Sequence, residues 1–412
     1  MKIIADLQIH SRYARATSKN ITIANLEKYA RIKGIDLLGV GDFQHPEWRK
    51  EIDAELKEDD KGILRTRNRF PFIWQTEVSL MFSQGGKRRA VHLLIFAPNV
   101  KTADTVTAFL GSKGRLDYDG RPIFGMSCKE LVRELKKIND MIEIIPAHCM
   151  TPFFGLFGSK SGFNSLQECF EEESRHIYAV ESGMSADPSM LWRFEEIASG
   201  NVRVVSFSDA HSFWPWRLGR EATIFEIPEL SYENVINAIR NGKGLTGTIE
   251  TPPEYGKYHW DGHRNCEFSC SPAGTRKTNG KCPICGKDLT IGVEYRVEEI
   301  AVKEKGFVLE NAKQFYKLIP LHELIAFELG SSLEGKKTWE IFNNLIKDFN
   351  SELNILLNVD KKLLLEKVSD SLVELIMLNR DGKLNVKPGF DGVYGQIGLD
   401  KVRKTDGQKK LF

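Results

Sequence analysis

The chain has 412 residues, of which 28% are charged and 41% hydrophobic, and a formal net charge of +2. That length supports about two or three domains with full cores, and the composition excludes a disordered or fibrous chain. The near-neutral balance excludes a global pull toward nucleic acid, so any such surface has to be a local patch. No apolar run approaches a membrane span. Met1-Lys2-Ile3-Ile4-Ala5-Asp6 enters a strand pattern without signal-peptide features, so a cytoplasmic location and no membrane partner are expected.

Residues 1–250 alternate short apolar runs with amphipathic segments, the pattern of repeated βα units. Ile3-Ile4-Ala5 is the first strand and runs into Asp6-Leu7-Gln8-Ile9-His10. Ile23, Leu26, Ala30 and Ile32 mark a helix, with Thr22 as its cap and Gly34 as its stop. The strand Leu37 to Val40 leads to Gly41-Asp42-Phe43-Gln44-His45-Pro46. Phe72-Ile73-Trp74 leads to Glu77, and the buried strand Ala90 to Phe96 carries His92. A helix over 128–138 precedes Ile142 to Pro146, which ends at His148. Ile177 to Val180 ends at Glu181, and Val202 to Phe207 ends at Ser208-Asp209-Ala210-His211. A helix around Asn234 to Ile239 closes this part.

Strand after strand therefore ends in, or carries, a residue able to bind a metal. A parallel β/α barrel gathers its strand ends on one face, so these residues meet although they are far apart in sequence. His10, His45, His92, His148 and His211 all fall at such positions. The fold expected is α/β, a distorted TIM-like barrel with a polynuclear metal site at its mouth.

The ordered series Asp6-Leu7-Gln8-Ile9-His10, Gly41-Asp42, Glu77, His92, His148, Glu181 and Ser208-Asp209-Ala210-His211 resembles the polymerase and histidinol phosphatase (PHP) domain family. The resemblance implies hydrolysis of phosphoesters with two or three divalent metals (Zn, Mn or Mg). It implies that His10, Glu77 and Asp209 hold one metal, with Glu77 bridging. His92 and His148, with Glu181, would hold a second. Asp42 and His211 would serve a third metal or the scissile phosphate. Two positions depart from the family pattern: Gln8 stands where a histidine is usual, and Phe43 takes the histidine place after Asp42, with His45 as a substitute. Paired metals about 3.5–4 Å apart suit phosphodiester hydrolysis because they stabilise both attacking and leaving oxygens. Arg217 and Arg220, soon after His211, are placed to clamp a phosphate.

A second unit, 251–305, contains Cys266-x3-Cys270 and Cys282-x2-Cys285. Four thiolates on two tight turns predict a closed structural Zn site, a zinc ribbon. Arg264, Arg276, Lys277, Lys281 and Lys287 decorate it and Tyr255, Tyr258 and Trp260 precede it, a mix suited to DNA backbone charge and base stacking. A third unit, 306–400, reads as helical and ends in the glycine-rich Lys387 to Gly395. The basic tail, 401–412, ends Gln408-Lys409-Lys410-Leu411-Phe412, a partial match to a sliding-clamp (PCNA) binding box.

Barrel, ribbon and helical end together resemble the archaeal endonuclease Q group. That implies a DNA-repair endonuclease cutting 5′ to hypoxanthine, uracil, xanthine or an abasic site in double- or single-stranded DNA. It also implies base flipping and partnership with the sliding clamp. The candidate base pocket is the loop after His148, with Phe153 and Phe154 for stacking and Ser161, Asn164 and Ser165 as polar readers. Arg12, Arg15 and Lys19 would track phosphates. The alternatives are a small-molecule phosphatase on the same barrel, which leaves the ribbon unexplained, and a non-catalytic DNA-binding zinc protein, which Gln8 favours.

Overall fold

The apolar runs form strands, but the strands do not share one direction. In the computed structural model, which describes residues 1–398, the first strand is Lys2–Asp6. It pairs parallel with Leu37–Gly39 and antiparallel with Ala222–Glu226. Leu37–Gly39 pairs parallel with the long strand Pro71–Gln84, which turns back antiparallel into Lys87–Ala97. Lys87–Ala97 in turn pairs antiparallel with Glu143–Pro146. On the other flank, Ala222–Glu226 pairs antiparallel with Leu245–Glu250, and that strand pairs parallel with Gln314–Lys317.

The α/β class expected is found, but the gathering of strand ends that a parallel barrel gives is replaced here by a mixed sheet. The reason is local. Gly85 and Gly86, at φ 61° and 72°, make a two-residue turn that joins only antiparallel neighbours. Glu77 is consequently inside a long strand rather than beyond a strand end, and His92 lies within the strand paired to it. The register sets Glu77 opposite Leu94 and Ser79 opposite His92, so both candidate ligands share one face of the hairpin. Leu94 and Phe96 on that face pack with Ala5, Leu7, Ile145, Val205, Phe207 and Phe225, while Leu93 and Ile95 pack on the other side. The hairpin is buried on both faces, which explains its near-continuous apolar text.

Ala179–Glu181 and Arg203–Val205 form a separate parallel pair. Backbone bonds tie it to its neighbours at the mouth: Cys149 N donates to Glu181 O at 2.9 Å, Ser182 N to Val205 O at 2.9 Å and His10 N to Ala210 O at 3.0 Å.

Helix Ile23–Lys33 starts at Thr22, whose side chain accepts from Asn25 N, and stops at Gly34 with φ 94°. Helix Cys128–Ile138 starts at Ser127, and helix Tyr232–Asn241 at Ser231. Beyond the sheet, Asp261–His263 and Phe268–Cys270 form a small hairpin, and helices Leu321–Leu329, Lys336–Phe349, Glu352–Leu357 and Asp370–Arg380 follow. The glycine-rich loop packs on the cysteine region: Gly389 N donates to Glu254 O at 2.9 Å, and Trp260 N to Gly389 O at 3.0 Å. The clamp-box tail, 401–412, lies outside the described residues. No helix among the described residues is long and apolar enough to cross a membrane.

Candidate metal centre

Glu77 is the joint of the site. It is fully buried, and its two oxygens face different partners. Oε2 lies 3.1 Å from His10 Nε2, which is also 3.1 Å from Asp209 Oδ1. Oε1 lies 2.6 Å from His92 Nδ1 and 3.6 Å from His148 Nε2. Two triads result, His10/Asp209/His211 and Glu77/His92/His148, each with its ligand atoms within 4.8 Å of one another. Residues spread over two hundred positions do converge.

The histidine rings are held from behind. His10 Nδ1 is 3.0 Å from Asp42 Oδ1, His148 Nδ1 is 2.7 Å from Thr151 Oγ1, and His211 Nδ1 is 2.8 Å from the Asp209 carbonyl oxygen. Each contact fixes a ring orientation and leaves Nε2 pointing away from its anchor, the usual preparation of a metal-ligating imidazole. The backbone is strained at the same places. Asp42, His148 and Asp209 have φ of 42°, 32° and 49°, a region costly for side chains with a Cβ and common at functional sites.

The electrostatics suit a cation. Burial opposes ionisation of Glu77, but His92, Arg121 and hydrogen bonds from His10 and His148 hold its carboxyl well below the usual range. Burial also opposes ionisation of Asp209, and His211 and His10 outweigh it, so that carboxyl too is depressed. Burial pushes His92 down to about 4 and lowers His211, which keeps both rings neutral and their lone pairs available near neutral pH. His10 goes the other way: burial would lower it, but Asp42, Asp209 and Glu77 raise it well above the ordinary value.

Other expected ligands sit elsewhere. Asp42 is behind His10, with Oδ2 accepting from Ser11 N at 2.6 Å, so it orients the ring and does not face a third metal or a phosphate. Gln8 touches the centre: its Nε2 donates to Glu77 Oε2 at 2.8 Å, and its Oε1 is buried without a partner. His45 is outside both triads, stacked on Tyr13 at 4.6 Å where the helix Pro46–Glu55 begins. Glu181 braces backbone instead of joining a triad. It accepts from Gly183 N at 2.7 Å, from Phe207 N at 3.3 Å and from His148 N.

The polar readers of the candidate base pocket are occupied. Ser161 Oγ accepts from Phe154 N at 3.2 Å, Asn164 Oδ1 accepts from Arg296 at 2.7 Å, and Ser165 caps the helix Leu166–Phe170. Phe154 covers His92 at 4.4 Å between ring centroids, and Phe153 is half exposed, 6.4 Å from Tyr258. Of the cations expected on phosphates, Arg12 is held by Glu51 at 3.1 Å, and Lys19 reaches the Arg12 carbonyl at 3.2 Å. Arg15 is largely exposed, 3.3 Å from Asp119. Arg217 lies 3.5 Å from Glu323. Arg220 is turned inward, donating to Ser208 O at 3.0 and 3.2 Å, and so braces the Asp209 strand end.

Sequence reasoning missed two residues here. Asp6 accepts from Ser208 N and Gly219 N, both at 2.9 Å, and from Ser208 Oγ at 2.5 Å, which pins the Asp209 strand to the first strand. Arg121 Nη1 lies 3.4 Å from Glu77 Oε1. Asp6 was visible as the polar end of a strand. Arg121, in an irregular loop, had no local signal.

The cysteine group is also corrected. His263, Cys266, Cys282 and Cys285 bring their ligand atoms within 4.8 Å of one another, while Cys270 stands apart, 3.3 Å from Thr275 Oγ1. The hairpin register explains this: Cys270 pairs with Asp261 at the far end, and His263 lies next to the turn that carries Cys266. The spacing was informative, because His263-x2-Cys266 repeats Cys282-x2-Cys285.

A family profile described as the MJ0043 C-terminal domain matches residues 320–383. The chain is 33% identical over 267 residues to the uncharacterized protein MJ0043 of Methanocaldococcus jannaschii, covering 63% of this chain and 32% of that protein. It therefore spans about a third of that relative's length. It is 28% identical over 416 residues to the uncharacterized protein YqxK of Bacillus subtilis, covering 96% of this chain and 99% of that one. In structure it is similar to the lesion-specific endonuclease PfuEndoQ of Pyrococcus furiosus, with TM-score 0.87, 29% identity and 98% of each chain covered. It is similar to the same degree, TM-score 0.86 at 28% identity and 98% coverage of each chain, to endonuclease Q in complex with a 27-mer duplex bearing an abasic lesion at the active site. In fold the chain is thus similar to endonuclease Q over 98% of its length.

Proposed function

We propose that this protein is a metal-dependent DNA endonuclease that hydrolyses the phosphodiester 5′ to a damaged nucleotide. The observation that carries the reading is the pair of triads joined by Glu77, in a chain that aligns over 98% of its length with a lesion-specific endonuclease. The donor set fits divalent cations: imidazole nitrogens anchored from behind, two depressed carboxyls, and a buried Gln8 Oε1 without a partner among the described residues. His10, Asp209 and His211 would hold a cation on one side, and Glu77, His92 and His148 one on the other. The imidazole donors favour Zn or Mn over Mg.

Cations bound there would supply positive charge to the phosphate oxygens and would make water a nucleophile near neutral pH. The chain's own residues do the rest. Asp42 and Thr151 hold the His10 and His148 rings in the ligating orientation. Asp6, Arg220 and Glu181 hold the strand ends that carry Asp209 and His148. Phe153, half exposed beside the mouth, is placed to stack on or wedge against a base flipped from the duplex. Deaminated bases and abasic sites, which unstack most cheaply, are the substrates this arrangement favours. His263, Cys266, Cys282 and Cys285 hold a structural Zn, and the strand ends tied at the mouth make the first part a distorted barrel.

The test is incubation of end-labelled duplexes carrying one inosine, one uridine or one abasic site, with Mn, with Mg and with EDTA. Metal-dependent nicking on the 5′ side of the lesion is expected. Equal cutting of undamaged duplex, or hydrolysis of monophosphates alone, overturns the reading.

A further inference from the structure

Arg121 is placed where neither the family pattern nor the local sequence put a functional residue. Its Nη1 is 3.4 Å from Glu77 Oε1. Among the described residues it is the one lysine or arginine within ion-pair range of Glu77, Asp209 or Asp42; the other ion-pair partners of those carboxylates are histidines. Its side chain is 23% exposed, so it reaches the mouth rather than the core.

The loop that carries it is fastened at every step. Gly120 N donates to Tyr13 O at 3.2 Å, and Gly120 O accepts from Gln44 Nε2 at 2.6 Å. Gln44 is itself held by Thr76, next to Glu77. Asp119 Oδ1 accepts from Arg121 N and Arg15 N, both at 3.1 Å. Beyond Pro122, Ile123 and Phe124 pair with Ser79 and Leu80 of the strand that carries Glu77. Gly120 lies so close to the centre that a Cβ there would be 2.2 Å from Asp42 Oδ2. A long cationic side chain held this firmly over a metal centre is not an incidental surface charge.

We infer that Arg121 binds the nonbridging oxygens of the scissile phosphate. The inference rests on the proposed endonuclease function. The physical argument is one of charge. Divalent cations on Glu77 repel a guanidinium that otherwise pairs with it, while a phosphodiester arriving at the mouth offers oxygens that a guanidinium binds with two parallel N–H donors. Among the described residues Arg220 is turned onto Ser208 and Arg12 onto Glu51, so neither competes for that place.

The test uses the full chain with Mn present and two uncleavable lesion duplexes. One replaces the bridging oxygen of the cut bond by methylene and keeps the phosphate charge. The other places a neutral methylphosphonate at the same linkage. Fluorescence anisotropy gives the affinity ratio of the two. In the wild type the charged duplex binds more tightly. In Arg121→Met that ratio falls by about tenfold, the loss expected for a charge-assisted hydrogen-bonded contact. Arg121→Lys retains part of it. An unchanged ratio in Arg121→Met overturns the inference, and a drop in bound metal with the ratio unchanged shows that Arg121 serves Glu77 instead. If the wild type nicks lesion duplex while Arg121→Met keeps the wild-type ratio, only this inference fails. If the wild type fails to nick lesion duplex, the reading beneath it fails first.

Discussion

The ion pair between Lys33 and Glu352 joins the first helix of the sheet region to the C-terminal helices, and its removal has a calculable cost. Lys33 is 1% exposed, and its Nζ lies 2.7 Å from Glu352 Oε1 and 2.6 Å from Pro215 O. Glu352 is fully buried; its Oε1 also accepts from Leu321 N at 2.9 Å, and its Oε2 has no partner. Burial already raises the Glu352 carboxyl above the ordinary range even with Lys33 beside it. Lys33→Met therefore leaves an uncompensated buried carboxylate, at a cost of about 3–5 kcal/mol. Lys33→Met with Glu352→Gln removes both charges and keeps an acceptor for Leu321 N, so most of the loss is recovered, to within about 1 kcal/mol. The assay is urea unfolding followed by tryptophan fluorescence, because Trp214, Trp216 and Trp339 cluster at this same junction with centroids 5.5–5.9 Å apart. A single variant that loses less than about 1 kcal/mol, or a double variant no better than the single, refutes the reasoning.

The remaining predictions concern the two metal centres and one buried acid. His263→Ala is expected to lose the ribbon zinc while Cys270→Ser keeps it, read by metal analysis of purified protein; the reverse order restores the four-cysteine site. Asp42→Asn removes the negative charge behind His10 and replaces one of the two oxygens that serve His10 Nδ1 and Ser11 N by a donor, and is expected to weaken metal binding at the Glu77 centre about 10–100-fold, measured by titration against a competing chelator. Glu143 is fully buried, and burial outweighs the nearby Arg240 and Lys136 to push its carboxyl from 4.5 up to about 7. Because the folded value lies above the unfolded one, stability is complete below pH 4.5 and is lost as pH rises toward 7, by on the order of 3 kcal/mol. Unfolding curves across that window test it, and Glu143→Gln is expected to flatten them.

Much of the centre was readable because its parts lie at strand ends with a polar, metal-competent text. His10, His148, Asp209 and His211 were found that way, and the helix beginning after Thr22 was found from its cap and its glycine stop. The direction of the strands was misread because two inward-facing runs, around Glu77 and His92, look alike whether parallel or antiparallel. Gly85-Gly86 was the overlooked sign of a hairpin. Ser165 is a helix cap and not a base reader: Ser165-Leu166-Gln167-Glu168 is a helix-start signature, and the Ser165 hydroxyl accepts from Glu168 N at 3.0 Å. Arg121 and the swap of His263 for Cys270 depend on long-range register and loop packing, which one sequence does not display.

The proposed hydrolysis depends on Glu77 joining two metal-binding halves into one centre. The most direct measurement is lesion-duplex nicking and bound-metal count for Glu77→Gln beside the wild type, with ribbon zinc as the internal control. A variant that keeps its ribbon zinc, loses metal from the Glu77 centre and nicks at least about a thousandfold more slowly, some 4 kcal/mol of lost transition-state stabilisation, is the predicted result. Nicking within about twofold of the wild type, a change under half a kcal/mol, contradicts it.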